Sequence, residues 1–291
     1  MRILFVRNPA SGSSGNTDPA AIEAALSRLG RVEMLETSSR EQVPTEVAEA
    51  ATDADLVAVA GGDGTMSDVV NAVDDRLDTL LFALLPAGTG NDLAGTLGLP
   101  DDAVACAAAL DPNVVRSIDV GCIAGADGKR LFVNACLGGF PVDVDEAIGE
   151  EHKRRLGALA FWVGGLKAAA DLQRAKVRVN GREVPDCVAV GVGNGRSAGG
   201  GIEVWPEADP SDGLLDVCAL GAPGALGAAR VALGVVRAAH GDLDAVHMVR
   251  AERVRIEADP RLDFNVDGEL AGFSTPVDFS VAGAIRMILC G

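Results

Sequence analysis

Asp55-Leu-Val-Ala-Val-Ala-Gly-Gly-Asp-Gly-Thr-Met-Ser-Asp-Val-Val-Asn71 carries three signals in a row. The apolar run Leu56–Ala60 predicts a buried strand. Gly61, Gly62 and Gly64 break that run. Thr65-Met66-Ser67-Asp68 resembles a capping box with Asp where Glu is usual, so a helix is expected to start there. Strand, glycine turn and helix N-terminus in this order make an anion site, because the backbone can approach closely and the free N–H groups favour negative charge. Asp63 is out of place in such a site unless a metal ion, or a group carrying a proton, lies between it and the anion. Standing alone, Gly-Gly-x-Gly is also what a plain βα turn looks like.

The flanking sequence repeats the pattern. Ile3–Val6 reads as a strand running into the small-residue loop 8–16. Pro19–Leu29 has helical spacing at Ile22, Leu26 and Leu29. Val32–Leu35 reads as a second strand ending near Thr37, and Glu41–Ala51 as a helix. Leu80–Leu85 is another buried strand, followed by Pro86-Ala-Gly-Thr-Gly-Asn-Asp-Leu-Ala94, where Thr89 stands three residues before Asp92 as a cap candidate. Alternating strands and helices with short connections predict a doubly wound parallel α/β sheet. Ligands of such sheets bind beyond the strand C-termini, where the loops at 8–16, 61–65 and 86–92 fall.

Beyond about residue 112 the texture changes to short strand-like runs separated by turn signals. These are Ser117–Ile123, Arg130–Ala135, Ala175–Val179, Cys187–Val192, Leu214–Leu220, Arg253–Ala258, Leu262–Val266 and Pro276–Val281. Helical stretches interrupt them at about 150–175 and 222–240. An antiparallel β-sandwich or barrel with inserted helices is expected, giving domains 1–117 and 118–291, with the last strand free to return towards the first. Gly193–Gly201 is a second glycine-rich segment. Asp209 and Asp212, three apart in a turn, suit a hard cation together with a backbone carbonyl such as that of Leu214. Asn265-Val-Asp-Gly-Glu269 places two carboxylates at a turn, as general-base work on a hydroxyl requires. Each is also readable as an ordinary turn.

The formal net charge of −17 and the 3% aromatic content, with no Tyr, argue against nucleic acid as a partner. Of 25 basic residues only Lys129, Lys153, Lys167 and Lys176 are lysines. That balance suggests a salt-rich cytoplasm, where the Debye length falls to about 3 Å at 1 M and acidic surfaces stay hydrated. The six cysteines, Cys106, Cys122, Cys136, Cys187, Cys218 and Cys290, form no close pair and read as buried free thiols. Met1–Val6 reads as a strand and not as a signal peptide, and no apolar run is long enough to span a membrane. The expected location is cytoplasmic. Lys153-Arg154-Arg155 before the apolar stretch with Phe161 and Trp162 offers peripheral membrane contact, although a helix packed on the sandwich fits it better. The three histidines follow no ligand spacing. The glycine loops contain no Lys, which leaves Mg²⁺, backbone amides and Arg7 or Arg196 to neutralise an anion.

In combination, Asn8-Pro-Ala-Ser-Gly12, Gly61-Gly-Asp-Gly-Thr65, Pro86–Ala94, Gly199-Gly-Gly201 with Pro206 and Ala208, Asp212-Gly-Leu-Leu215 and Asp267-Gly-Glu269 resemble, in this order, the diacylglycerol-kinase-like lipid kinases. The resemblance covers nearly the whole chain. It implies a nucleotide domain similar to those of NAD kinase and phosphofructokinase, a C-terminal β-sandwich, and an active site between them. It implies an ATP site using Asn8 and Ser11 of the first motif, Gly61, Gly62, Asp63, Gly64 and Thr65, and Gly88, Thr89 and Asn91, with Thr37 at the end of the second strand. Asp63 would orient phosphates through Mg²⁺. Asp209, Asp212 and the Leu214 carbonyl would hold a structural Mg²⁺, and either Asp267 or Glu269 would accept the proton of a lipid hydroxyl at a membrane surface. A homodimer is compatible with it. The sequence departs from the family in having Ser13-Ser14 where a basic residue often follows the first motif, and in the segment after Thr37. Alternatives are an NAD-kinase-like enzyme with a soluble acceptor and a nucleotide-binding regulator without catalysis.

Overall fold

A computed structural model of the chain describes residues 1–8, 18–39, 42–126, 128–139, 174–222 and 224–291. They form two compact units, Met1–Val120 with Ala282–Gly291, and Gly121–Val281.

The first unit is built on five parallel strands. β1 (Arg2–Arg7), β2 (Arg31–Glu36), β3 (Leu56–Gly61) and β4 (Leu81–Pro86) are joined by the far part of β17 (Val277–Cys290), in the order β2-β1-β3-β4-β17. Every residue of β3 is buried, as are Ile3–Val6 of β1, because helices cover the sheet. These helices are α1 (Pro19–Ser27), α2 (Val43–Ala50), α3 (Asp63–Ala72), α4 (Asp92–Leu97) and α5 (Ala103–Ala109). Asp18 caps α1 by accepting from the amides of Ala20 and Ala21, and Asp102 caps α5 through Ala105. The Arg28 guanidinium ties α1 to α5 through the carbonyls of Ala107 and Leu110. The chain leaves β1 towards β2 and then reverses to β3 on the other side, so β1 and β3 flank the switch point of the sheet.

The second unit is antiparallel throughout. It holds the end of β5 (Leu110–Gly125), β6 (Gly128–Phe132), β7 (Ala135–Gly138), β8 (Ala175–Val179), β9 (Arg182–Gly193), β10 (Ser197–Ala198), β11 (Ile202–Glu203), β12 (Leu215–Gly221), β13 (Val246–Ala251), β14 (Arg253–Asp259), β15 (Asp263–Val266), β16 (Glu269–Ser274) and the start of β17, with α6 at Gly224–Val236. This is the β-sandwich of the two-domain expectation. One core is centred on Phe279, whose ring lies 6.3 Å from Phe132 and 5.4 Å from Phe264. A second gathers around the fully buried Trp205, with Val231 and Val235 of α6. Gly191 and Gly193 on β9 leave room for the Trp205 ring, since a Cβ at Gly193 would sit 2.4 Å from it.

Several boundaries differ from expectation. α3 begins at Asp63 with Gly62 as N-cap, so Thr65 lies inside the first turn and not at the cap. The expected strand 130–135 is two strands, broken at Val133-Asn134, where the backbone amides turn to a side chain and leave the ladder. β13 and β16 were not legible as strands, and Pro276–Val281 continues as the much longer β17. The expected helix at 150–175 gives way to β8 at Ala175, and its residues 150–173, with the basic triplet 153–155 and Phe161 and Trp162, lie outside the described residues.

Candidate active site

In the first unit, the turns after β3 and β4 meet. Gly62 and Gly88 touch backbone to backbone: a Cβ at position 88 would lie 2.5 Å from the Gly62 Cα and 2.9 Å from Asn91 Oδ1. Only glycine permits this contact. Asp63, the first residue of α3, reaches across it. Its Oδ2 accepts from the amide of Asp92 at 3.0 Å and its Oδ1 from that of Leu93 at 3.1 Å. The carboxylate therefore caps α4 from another loop, which explains an acid among the glycines without a metal ion. The expected cap from Thr89 is absent; Thr89 is exposed. Asn91 stands at φ 52°, and its side-chain amide closes its own loop, accepting from Gly88 N–H at 2.9 Å and donating to Gly88 O at 3.0 Å.

The N-terminus of α3 contrasts with that of α4. Its N-cap is a glycine with no side-chain cap, and Thr65 stands in the first turn. Amides at this end, beyond the C-terminus of a central strand, are arranged for an anion. Asn8 follows β1 and is partly buried, while Ser11 lies outside the described residues. Thr37 follows β2, buried, with its amide and hydroxyl on the Arg7 carbonyl at 3.0 and 3.4 Å, so its hydroxyl serves the backbone. The two arginines expected to neutralise an anion are engaged elsewhere. Arg7 pairs with Glu36, its neighbour in the parallel register, and Arg196 donates to Ala208 O at 3.0 Å.

In the second unit, Asp267 and Gly268 make a tight two-residue turn between β15 and β16, with φ of 48° and 82°. The Asp267 side chain is 7% exposed. Its Oδ1 accepts from the amides of Asn134 and Ala135 at 2.9 and 2.8 Å, and its Oδ2 from that of Val133 at 2.8 Å. Three backbone donors thus fix its position. Glu269, the first residue of β16, is partly exposed. Around the same loop, Asn194 donates to Val133 O at 2.8 Å and Asn134 donates to Ser197 O at 3.1 Å. Asn134 carries no chemistry that sequence spacing could flag, whereas Asn194 lies in the glycine-rich 193–201 segment.

The acidic turn is neutralised from within the chain. Arg250 pairs with Asp212 Oδ2 and lies 3.2 Å from Asp216, its direct partner across β12 and β13. Asp212 Oδ1 accepts from Leu214 N–H at 3.0 Å, and Asp209 Oδ1 from Ser211 N–H at 3.1 Å. Burial pushes the Asp216 carboxyl up to about 6, against the pull of Arg250. A cation held by Asp209, Asp212 and the Leu214 carbonyl must displace this guanidinium, so these residues as arranged do not fit a resident Mg²⁺. Among the described residues no group of three or more His, Cys, Asp or Glu gathers around a metal-sized point.

Two predictions follow the geometry. Asp63→Ala removes both acceptors from α4 and is expected to cost about 1–2 kcal/mol in urea unfolding, with Asp63→Asn losing less because one oxygen remains. Thermal unfolding of the wild type is expected to be the same with and without millimolar Mg²⁺. Arg250→Gln is expected to lose about 1–2 kcal/mol and to gain stabilisation by Mg²⁺, because its carboxylates are then unpaired. A wild-type midpoint raised by Mg²⁺ and no longer raised after Asp209→Ala would show instead that a cation wins the turn.

Residues 2–123 match the diacylglycerol kinase catalytic domain family, and residues 137–289 the YegS C-terminal NAD kinase beta sandwich-like domain family. A protein of Pseudomonas aeruginosa strain UCBPP-PA14 named probable lipid kinase YegS-like is 34% identical over 285 residues, covering 95% of this chain and 91% of its own. Its namesake in Pseudomonas putida KT2440 is 40% identical over 217 residues, covering 73% and 70%. The fold is shared with a crystal structure of a diacylglycerol kinase from Bacillus anthracis strain Sterne, at a TM-score of 0.76 and 24% identity over 99% of this chain and 96% of that one. With both domains matched and a relative aligned along nearly its whole length, this chain belongs to the diacylglycerol-kinase-like lipid kinase family.

Proposed function

We propose that this kinase transfers the γ-phosphoryl group of ATP to the hydroxyl of a diacylglycerol-like lipid. The observation that carries the nucleotide part is the backbone contact of Gly62 with Gly88 beside the uncapped N-terminus of α3. The donors on the α3 side are amides and a helix dipole, which suits a polyphosphate. Asp63 keeps the two loops in register through α4. Mg²⁺ bound with the nucleotide would supply the positive charge that loops without lysine lack. The lipid part is supported by the names of the relatives and by their match along nearly the whole chain.

Asp267 is the proposed proton acceptor. The lipid hydroxyl oxygen attacks the γ-phosphorus, the bond to the β–γ bridging oxygen breaks to release ADP, and the hydroxyl proton passes to the carboxylate. A base in this reaction works through its position more than its basicity, since the transition state is loose. Three amides hold Asp267 in one place, which is the preorganisation this role needs. Contact with a lipid surface is part of the proposal, because the acceptor sits in a membrane. Among the described residues no helix is long and apolar enough to cross one.

The test is incubation with ATP labelled in the γ-phosphate and total lipid extract, in parallel with diacylglycerol in mixed micelles, a long-chain base, and NAD. Label is expected in an organic-soluble product and in the diacylglycerol arm. Label in NAD alone would assign a soluble acceptor, and nucleotide binding with no labelled product would assign a regulator. Asp267→Asn is expected to lower kcat by about 10²–10⁴-fold, and Glu269→Gln by less than about tenfold, with both variants checked for folding by circular dichroism. The reverse order would make Glu269 the acceptor.

A further inference from the structure

Cys106 and Cys290 stand 184 positions apart in the chain, yet their Sγ atoms lie 3.8 Å from each other. Cys106 is on α5 and fully buried; Cys290 ends β17 and is half-buried, so the expectation that all six thiols are buried fails at this one. The other four cysteines are buried in the second unit. Two thiols in van der Waals contact, one reachable from solvent, are the arrangement from which a disulfide closes. The sulfurs need only move from 3.8 Å to a bond of about 2.05 Å.

We propose that Cys106 and Cys290 form an oxidisable pair whose disulfide staples the end of β17 to α5. The oxidant is a low-molecular-weight disulfide of the glutathione class. The Cys290 thiolate attacks one sulfur of that disulfide, forming a mixed disulfide and expelling one small thiolate. The Cys106 sulfur then attacks Cys290 Sγ, expelling the second small thiolate. Two protein thiols are oxidised by two electrons, one small disulfide is reduced to two thiols, and the two protein protons pass to the departing thiolates. Burial, then the neighbouring Cys290, push the Cys106 thiol well above its ordinary range, so the second step is the slow one. The order of attack follows from exposure: only Cys290 meets a reagent in solution.

The consequence is local to the first unit. β17 lies beside β4 in parallel register, Arg286 against Leu81 and Met287 against Phe82, and α5 packs on β4 as well. β4 leads into the Gly88–Asn91 loop of the candidate site. A covalent bond between β17 and α5 therefore restrains two elements packed against the strand that carries this loop. It also closes a loop of most of the chain, which restricts the unfolded state.

The experiment treats the full-length folded protein with oxidised glutathione, quenches with acid, and maps the cysteines by peptide mass spectrometry. The expected product is a wild-type chain lighter by two hydrogens, with the peptide of Cys106 joined to that of Cys290. Cys106→Ser is expected to stop at glutathione on Cys290, and Cys290→Ser to remain unmodified. The oxidised wild type is expected to melt roughly 5–10 °C above the reduced form, with no such shift in treated Cys106→Ser. Persistent glutathione on Cys290 of the wild type, an absence of reaction, or a cross-link that leaves the melting point unchanged would each overturn the proposal. The readout involves neither nucleotide nor lipid, so it stands apart from the kinase assignment.

Discussion

Asp63 accepts the amide hydrogens of Asp92 and Leu93, and through those two bonds the turn after β3 governs the turn after β4. α4 has only six residues, too few to persist on helix propensity, and its own N-cap residue, Asn91, gives it no side-chain bond. Its start is therefore set from outside. The same reach draws Gly62 onto Gly88, a contact with no room for a side chain at position 88 and little at position 62. The two loops, tied by Asp63 and by Asn91, become one surface. Such a surface can meet a charged ligand without reorganising on its arrival.

The second unit uses the same device. Asp267 gathers the amides of Val133, Asn134 and Ala135, more than 130 positions earlier in the chain. This is why β6 and β7 are separate strands: amides turned to a carboxylate cannot serve a ladder. At the acidic turn the roles are exchanged, and a guanidinium gathers two carboxylates, with the β12–β13 register fixing who meets whom. In a chain with a net charge of −17 the scarce cations matter most where carboxylates are buried. Arg250 serves Asp212 and the buried Asp216, and Arg7 serves Glu36.

Much of the first unit was legible. β1, β3 and β4 are buried and so read as unbroken apolar runs, and the turns after β3 and β4 are marked by glycines whose role is local. Thr65 and Thr89 satisfy a local capping rule, yet α3 starts two residues before Thr65 on a glycine cap, and α4 is capped by Asp63 from another loop. In the second unit β13 and β16 escaped notice because they are edge-like and only partly buried, without the alternation that marks a strand. Asp63, Asp212 and Asp267 stood out in the sequence because they sit beside glycines. Their partners did not, because an amide or an arginine far along the chain leaves no mark on local spacing.

The sequence by itself determined the class of fold, the order of the two domains and the glycine-marked turns, since each depends on periodicity and on conformations that few residues can adopt. Only the tertiary structure decided what the charged groups do. Asp63 caps a helix, Asp267 is locked by three amides, Arg250 stands on the acidic turn, and Cys106 meets Cys290. The physical reason is range. Backbone preference acts within a few residues, whereas a buried charge or thiol finds its partner through whatever strand or loop packing brings within 4 Å.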